Sequence, residues 1–107
     1  MKGEKIGEFE ELVMLCVRTL GDEAHGVNIQ ERLLRDAGRR AALGAIYAAL
    51  DRAERKGLVR SWLGEPSPVR GGRRKRHYGV TRVGEYTLSE SRRVRDLLWR
   101  SAGEASS

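Results

Sequence analysis

The sequence predicts a mainly α fold with one small β-hairpin, an α+β chain running helix, helix, helix, hairpin, helix. Three observations carry this. Three runs of helically spaced apolar residues each stop at a glycine: Gly21, Gly38 and Gly57. Two short runs with β-branched and aromatic residues, 58–63 and 75–80, enclose a loop holding Pro66, Pro68, Gly71 and Gly72. A fourth helical run then follows Thr81, whose hydroxyl suits it to accept a bond from an early helical N–H.

In the first helix, 8–20, apolar side chains fall at Phe9, Leu12, Val13, Cys16, Val17 and Leu20, the spacing of one helical face. Glu8, Glu10 and Glu11 sit at the positive end of its dipole, where acids are favoured. The second helix, 27–36, has Val27, Ile29 and Leu33 as its core stripe. The third, 42–56, places Leu43, Ile46, Tyr47, Leu50 and Ala53 inward and Ala42, Gly44, Ala45, Ala48 and Ala49 outward. The joint between these two helices is short, which suggests a helix-turn-helix. The last helix, 82–100, carries Leu88, Val94, Leu97, Leu98 and Trp99, and 101–107 reads as a frayed tail.

At 107 residues the chain supports one modest core. Apolar content of 39% beside 34% charged speaks against global disorder. Aromatics are only 6%, and a small, aromatic-poor core gains stability by dimerising. The net charge of +6 is segregated. Residues 1–38 hold five basic and eight acidic side chains, whereas 39–107 hold sixteen basic and seven acidic. That asymmetry favours a polyanionic partner for the second half. Cys16 is the one cysteine, so an internal disulfide is excluded and a reducing, cytoplasmic setting fits. It lies on the inner face of its helix and reads as a core residue rather than a redox sensor. The longest apolar run has six residues, Leu12 to Val17, far too short to span a bilayer, and no export-signal pattern precedes it.

The stretch PSPVRGGRRKRHYGVT, 66–81, concentrates five positive charges and no acid: Arg70, Arg73, Arg74, Lys75 and Arg76. A disordered linker would not be framed by two strand-like runs. A membrane patch would set apolar or aromatic residues beside the charges, and only Val69 is there. A loop touching nucleic acid remains, because phosphates attract such a loop through counterion release.

The landmarks GEFEELVMLCV, HGVNIQERL, LGAIYAALDRAERKGLV and GGRRKRHYGVTRVGE resemble, in order and spacing, the PadR family of bacterial winged-helix transcription regulators. The resemblance covers about residues 6–90. The strongest segment is Gly44-x-x-Tyr47-x-x-Leu50 running to Gly57-Leu58-Val59, then a basic wing and Tyr78-x-x-Thr81. One departure is AHG, where the family usually has Tyr-Gly and His25 stands in place of the aromatic. The resemblance implies a winged helix-turn-helix over 1–81 and a C-terminal dimerisation helix with its tail over 82–107. It further implies a dimer on a near-palindromic operator, usually as a repressor. The third helix would enter the major groove and the wing would touch the backbone or minor groove. Some family members respond to phenolic acids or flat apolar drugs, so a small aromatic effector is an expected partner.

On that reading, Gly44, Ala45 and Ala48 let the third helix approach base edges closely, and alanine methyls can meet thymine methyls. Arg39 and Arg40 supply polar contacts where the chain enters the helix, to a guanine edge or to phosphate, and Arg52 lies further along. Tyr47 has two open roles, a core aromatic or, as the resemblance implies, a hydroxyl donated to phosphate. Arg70, Arg73, Arg74, Lys75 and Arg76 are the wing's contacts, which position more than they specify. His77 could add to them. Arg55 and Lys56 read as solvated charges neutralising the negative end of the third helix. Dimerisation falls to Phe9, Leu88, Val94, Leu97, Leu98 and Trp99, with Trp99 also a candidate for stacking on a planar ligand. Trp62 is expected against the third or last helix. His25, His77 and a lone cysteine form no converging ligand set, and no nucleophile–base pair is evident, so no metal, cofactor or catalysis is expected. Two other functions compete: a winged-helix module whose basic wing docks an acidic protein, and a small-molecule sensor with weak DNA binding.

Overall fold

The computed structural model describes residues 5–66 and 74–106. Helix α1, Glu8–Leu20, is followed by a 3-10 turn, Gly21–Glu23, then by α2, Gly26–Ala37, and α3, Leu43–Arg55. Strands β1, Val59–Leu63, and β2, Arg76–Val80, precede α4, Arg82–Ser106. Helices, strands and their order agree with the sequence reading to within a residue or two. The exception is the end of α4, which continues through Ser106, where the sequence reads a frayed tail from 101.

Helix α1 is central because it serves two apolar clusters. Val13, Cys16 and Val17 meet Ile29 and Leu33 of α2, Ile46, Ala49 and Leu50 of α3, and Tyr78 of β2. Met14, one position round the helix, joins Ala53, Leu58, Val59 and Leu88. Each fully buried Leu, Ile or Val contributes roughly 1.5–3 kcal/mol by leaving water, so these faces hold the helices at their crossings. Leu88 therefore belongs to the core. Phe9, half-buried, also packs against the core, so both side chains expected at a dimer interface have packing partners within the chain.

The turn between α2 and α3 is set by local chemistry. Gly38 adopts a left-handed conformation, φ 60° and ψ 22°, that a side chain would resist. Its N–H donates to Leu34 O, and the Arg39 N–H donates to Leu33 O, which satisfies carbonyls at the end of α2. Gln30 Nε2 donates to Ala41 O at 2.8 Å, fastening α2 to the start of α3.

The strands pair antiparallel, with Val59 opposite Val80, Ser61 opposite Tyr78 and Leu63 opposite Arg76. Two further bonds anchor the hairpin, one to the loop before α2 and one across its own base. The Tyr78 N–H donates to Ala24 O at 3.2 Å, and the Thr81 N–H donates to Leu58 O at 3.0 Å. Thr81 Oγ1 accepts the Gly84 N–H at 3.0 Å and donates to Gly57 O at 2.6 Å. The expected cap of the last helix is thus present, and the same hydroxyl holds that helix to the base of the hairpin. From Arg92 to Glu104 every residue of α4 is exposed. Within this stretch Arg95 still pairs with Glu11 of α1, and the molecule is 62 Å long but only 20 Å thick.

Candidate nucleic-acid interface

The outer face of α3 presents small groups over its first half, and Asp51, Arg52 and Arg55 over its second. Gly44, Ala45 and Ala48 are exposed, as is Ala42 immediately before the helix. Ala49, expected on this face, is fully buried in the core. One residue turns a helix by about 100°, and that rotation carries position 49 inward from the face of 45 and 48. Tyr47, read as an inner residue with a second role open, is 45% exposed. Its phenol lies over Gly26 at the start of α2, where a side chain on residue 26 would collide with the hydroxyl. The ring is therefore wedged between two helix ends rather than buried.

The candidate arginines separate by their partners. Arg39 Nη1 lies 3.2 Å from Glu8 Oε1, and its guanidinium sits 5.1 Å over the Phe9 ring. It fastens the α2–α3 turn to α1. Arg52 Nε lies 3.7 Å from Glu10 Oε2. Arg40 is exposed and has no ion pair among the described residues. Lys56, expected to be a solvated charge, donates from Nζ to Glu10 Oε1 and to Lys5 O, each at 2.9 Å. Arg55 does pair on the surface, with Asp51 at 2.7 Å.

These partners expose a feature the sequence reading missed. Glu8, Glu10 and Glu11 do more than complement the α1 dipole. Glu8 holds the α2–α3 turn through Arg39, Glu10 holds the end of α3 through Lys56 and Arg52, and Glu11 holds α4 through Ser91 and Arg95. Glu10 is only 4% exposed, a buried carboxylate flanked by two cations. Its position three residues before Val13 on the apolar face was the available signal.

On the hairpin, Arg74 Nε donates to Gly64 O at 2.8 Å, which leaves the rest of its guanidinium exposed. Lys75 is exposed. Arg76 Nη1 donates to Ser61 Oγ at 3.0 Å, and Ser61 Oγ donates to Glu54 Oε2 at 2.8 Å. Arg70 and Arg73 lie outside the described residues. His77 faces inward, with Nδ1 3.1 Å from Asp22 O, so it ties the hairpin to the 3-10 turn rather than reaching outward. Its ring stacks on Trp62 at 5.8 Å and meets His25 edge-on at 4.9 Å. Burial, with Lys75 and His77 adding to it, pushes the His25 pKa below its ordinary value. Trp62, expected against α3 or α4, packs under Arg60 at 4.7 Å and over Gly79 within the hairpin. Arg60 is a further exposed cation of the hairpin that the sequence reading left out.

Along α4, Val94, Leu97, Leu98 and Trp99 are exposed, Trp99 at 76%. Trp99, Leu88 and Leu15 line a groove between α4 and α1, edged by Arg18, Arg92 and Arg95. No group of three or more His, Cys, Asp or Glu side chains placed to hold a metal occurs among the described residues, and no helix is long and apolar enough to cross a membrane.

Solved structures share this architecture. A PadR-like transcription factor from Bacteroides fragilis superposes with a TM-score of 0.75 at 22% identity, over 91% of this chain and 88% of that one. A PadR family transcription regulator from Clostridium difficile gives 0.69 at 23% identity, over 94% and 100%. A third, from Eggerthella lenta, gives 0.67 at 27% identity, over 92% and 85%. No curated protein matches the chain. The family model for PadR-like transcriptional regulators matches residues 14–90, from the middle of α1 through the hairpin into α4. With its four helices, its antiparallel hairpin and this match over most of its length, the chain belongs to the PadR-like family of transcriptional regulators.

Proposed function

We propose that the protein is a cytoplasmic, sequence-specific regulator that binds double-stranded DNA as a homodimer and represses transcription, with α3 in the major groove and the hairpin as a wing on the backbone or minor groove. The carrying observation is the small-residue surface on the first half of α3. Gly44, Ala45 and Ala48 are exposed on the first half of the helix, where they add little bulk to hold it off the base edges, and Arg40, exposed and without an ion pair among the described residues, precedes them in the chain. Arg74, Lys75, Arg76 and Arg60 give the wing a basic surface. Arg39 and Arg52 serve this interface indirectly, since both already hold carboxylates of α1.

The dimer is proposed from α4. Val94, Leu97 and Leu98 recur at helical spacing on a segment that leaves the core, and a second copy's α4 would cover them. Residues 1–81 and 82–107 then act as reading and pairing parts. A small aromatic effector is proposed for the face bearing Trp99, whose emission would change on binding flat phenolics.

Selection of bound duplexes from a random pool tests the whole reading. The expected result is a near-palindromic site with half-sites about one DNA turn, roughly 34 Å, apart. Binding should weaken steeply as salt rises. Absence of duplex binding at low salt would refute it and leave the protein-docking alternative.

A further inference from the structure

Among the described residues, Arg76 is unlike the other hairpin cations in how it is held. It lies on β2 opposite Leu63, on the same face as Tyr78, and its guanidinium crosses to Ser61 on β1. Ser61 is thus an acceptor for Arg76 at 3.0 Å and a donor to Glu54 Oε2 at 2.8 Å. Glu54 belongs to α3, so one hydroxyl links a wing arginine to the reading helix.

Two consequences follow from the chemistry. A guanidinium has five N–H donors, and the contact to Ser61 engages Nη1 alone. The contact aims the group while leaving donors for a phosphate. The group Arg76 meets is a neutral hydroxyl, with the carboxylate one bond further on. The positive charge is therefore steered without being neutralised by a direct ion pair.

We propose that Ser61 and Glu54 are positioning residues for Arg76, holding its guanidinium at a fixed place relative to α3 so that wing and reading helix meet the duplex as one unit. This rests on the DNA-binding reading above. Removing the hydroxyl frees Arg76 to swing, and it brings Glu54 into reach as a direct, competing partner.

The test is a double-mutant cycle on binding of a mixed-sequence DNA duplex, with Ser61→Ala, Arg76→Ala and the pair, each checked for folding by circular dichroism. Ser61→Ala should weaken binding about threefold to tenfold, the range for the net contribution of one ordinary hydrogen bond. In the Arg76→Ala background the same change should have no effect, since coupled residues are not additive. Ser61→Thr keeps a hydroxyl and should restore binding. Glu54→Gln keeps an acceptor for Ser61 and removes a negative charge near the duplex, so it should bind at least as well as wild type. Glu54→Ala removes the same charge but should bind less well than Glu54→Gln. Equal binding by the two Glu54 variants, or an additive cycle, would overturn the positioning role while leaving DNA binding intact. Unchanged affinity and salt dependence in Arg76→Ala would instead overturn the wing contact itself, and the proposal with it.

Discussion

Gly84→Ala puts a single methyl where the structure has no room. Gly84 is buried in the first turn of α4, and a Cβ there would fall on the carbonyl oxygen of Leu58 and 2.7 Å from Val80 Cγ1. The carbonyl cannot retreat cheaply, because it accepts the Thr81 N–H at 3.0 Å. Moving α4 away instead breaks the bond from the Gly84 N–H to Thr81 Oγ1. Overpacking costs up to about 3 kcal/mol, loss of a cap adds about 1 kcal/mol, and alanine returns about 1 kcal/mol of helix propensity. The expected net loss is about 3 kcal/mol. Gly44→Ala is the control, since nothing lies within 4 Å of its added Cβ. It should gain up to about 1 kcal/mol. Urea denaturation followed by far-UV circular dichroism measures both, at one protein concentration because the stability of the proposed dimer would depend on it. Gly84→Ala at or above wild-type stability would refute the close approach of α4 to the base of the hairpin. Gly44→Ala carries a second readout. It should weaken duplex binding although it stabilises the fold, because the methyl stands on the face proposed to enter the groove.

Glu10→Ala should destabilise by about 2 kcal/mol, below the full cost of breaking a buried pair because Lys56 is 30% exposed and Arg52 half exposed; denaturation of Glu10→Gln should show partial recovery. His25 has its pKa lowered by burial, so the folded state favours the neutral ring. The unfolded chain then binds the extra proton first, and stability should be full above the ordinary value of about 6.5 and decline as pH falls below it. In His25→Asn that part of the pH dependence should vanish from a denaturation series. The Cys16 thiol is buried and its pKa raised by that burial. Alkylation by iodoacetamide should therefore be slow in the native protein and fast in urea.

Local rules carried most of the architecture. The helix ends at Gly21, Gly38 and Gly57 are positive-φ positions, and that requirement is written in the residue type alone. The Thr81 cap spans three residues, and the strands announce themselves by composition. The seating of the hairpin on the body could not be read this way, because it depends on the bond from Tyr78 to Ala24, more than fifty positions away in the sequence. Within α3, periodicity found the inner stripe at Ile46, Leu50 and Ala53 but misplaced Ala49, since an alanine signals neither face. Tyr47 escaped a firm assignment for a related reason. Its position depends on Gly26, in a different helix, leaving space for the ring.

What the sequence by itself determined is the order of helices and strands, the glycine stops, the excess of positive charge in the second half and the family. What tertiary structure decided is which of those charges stay available. Arg39 and Arg40 are neighbours of identical chemistry, yet one is held by Glu8 and Phe9 of a different helix and the other is open to solvent. A side chain's intrinsic charge is fixed by its residue type. Its partner is fixed by which helices cross there, and those crossings follow from burying Val13, Met14 and Val17 on two sides of α1.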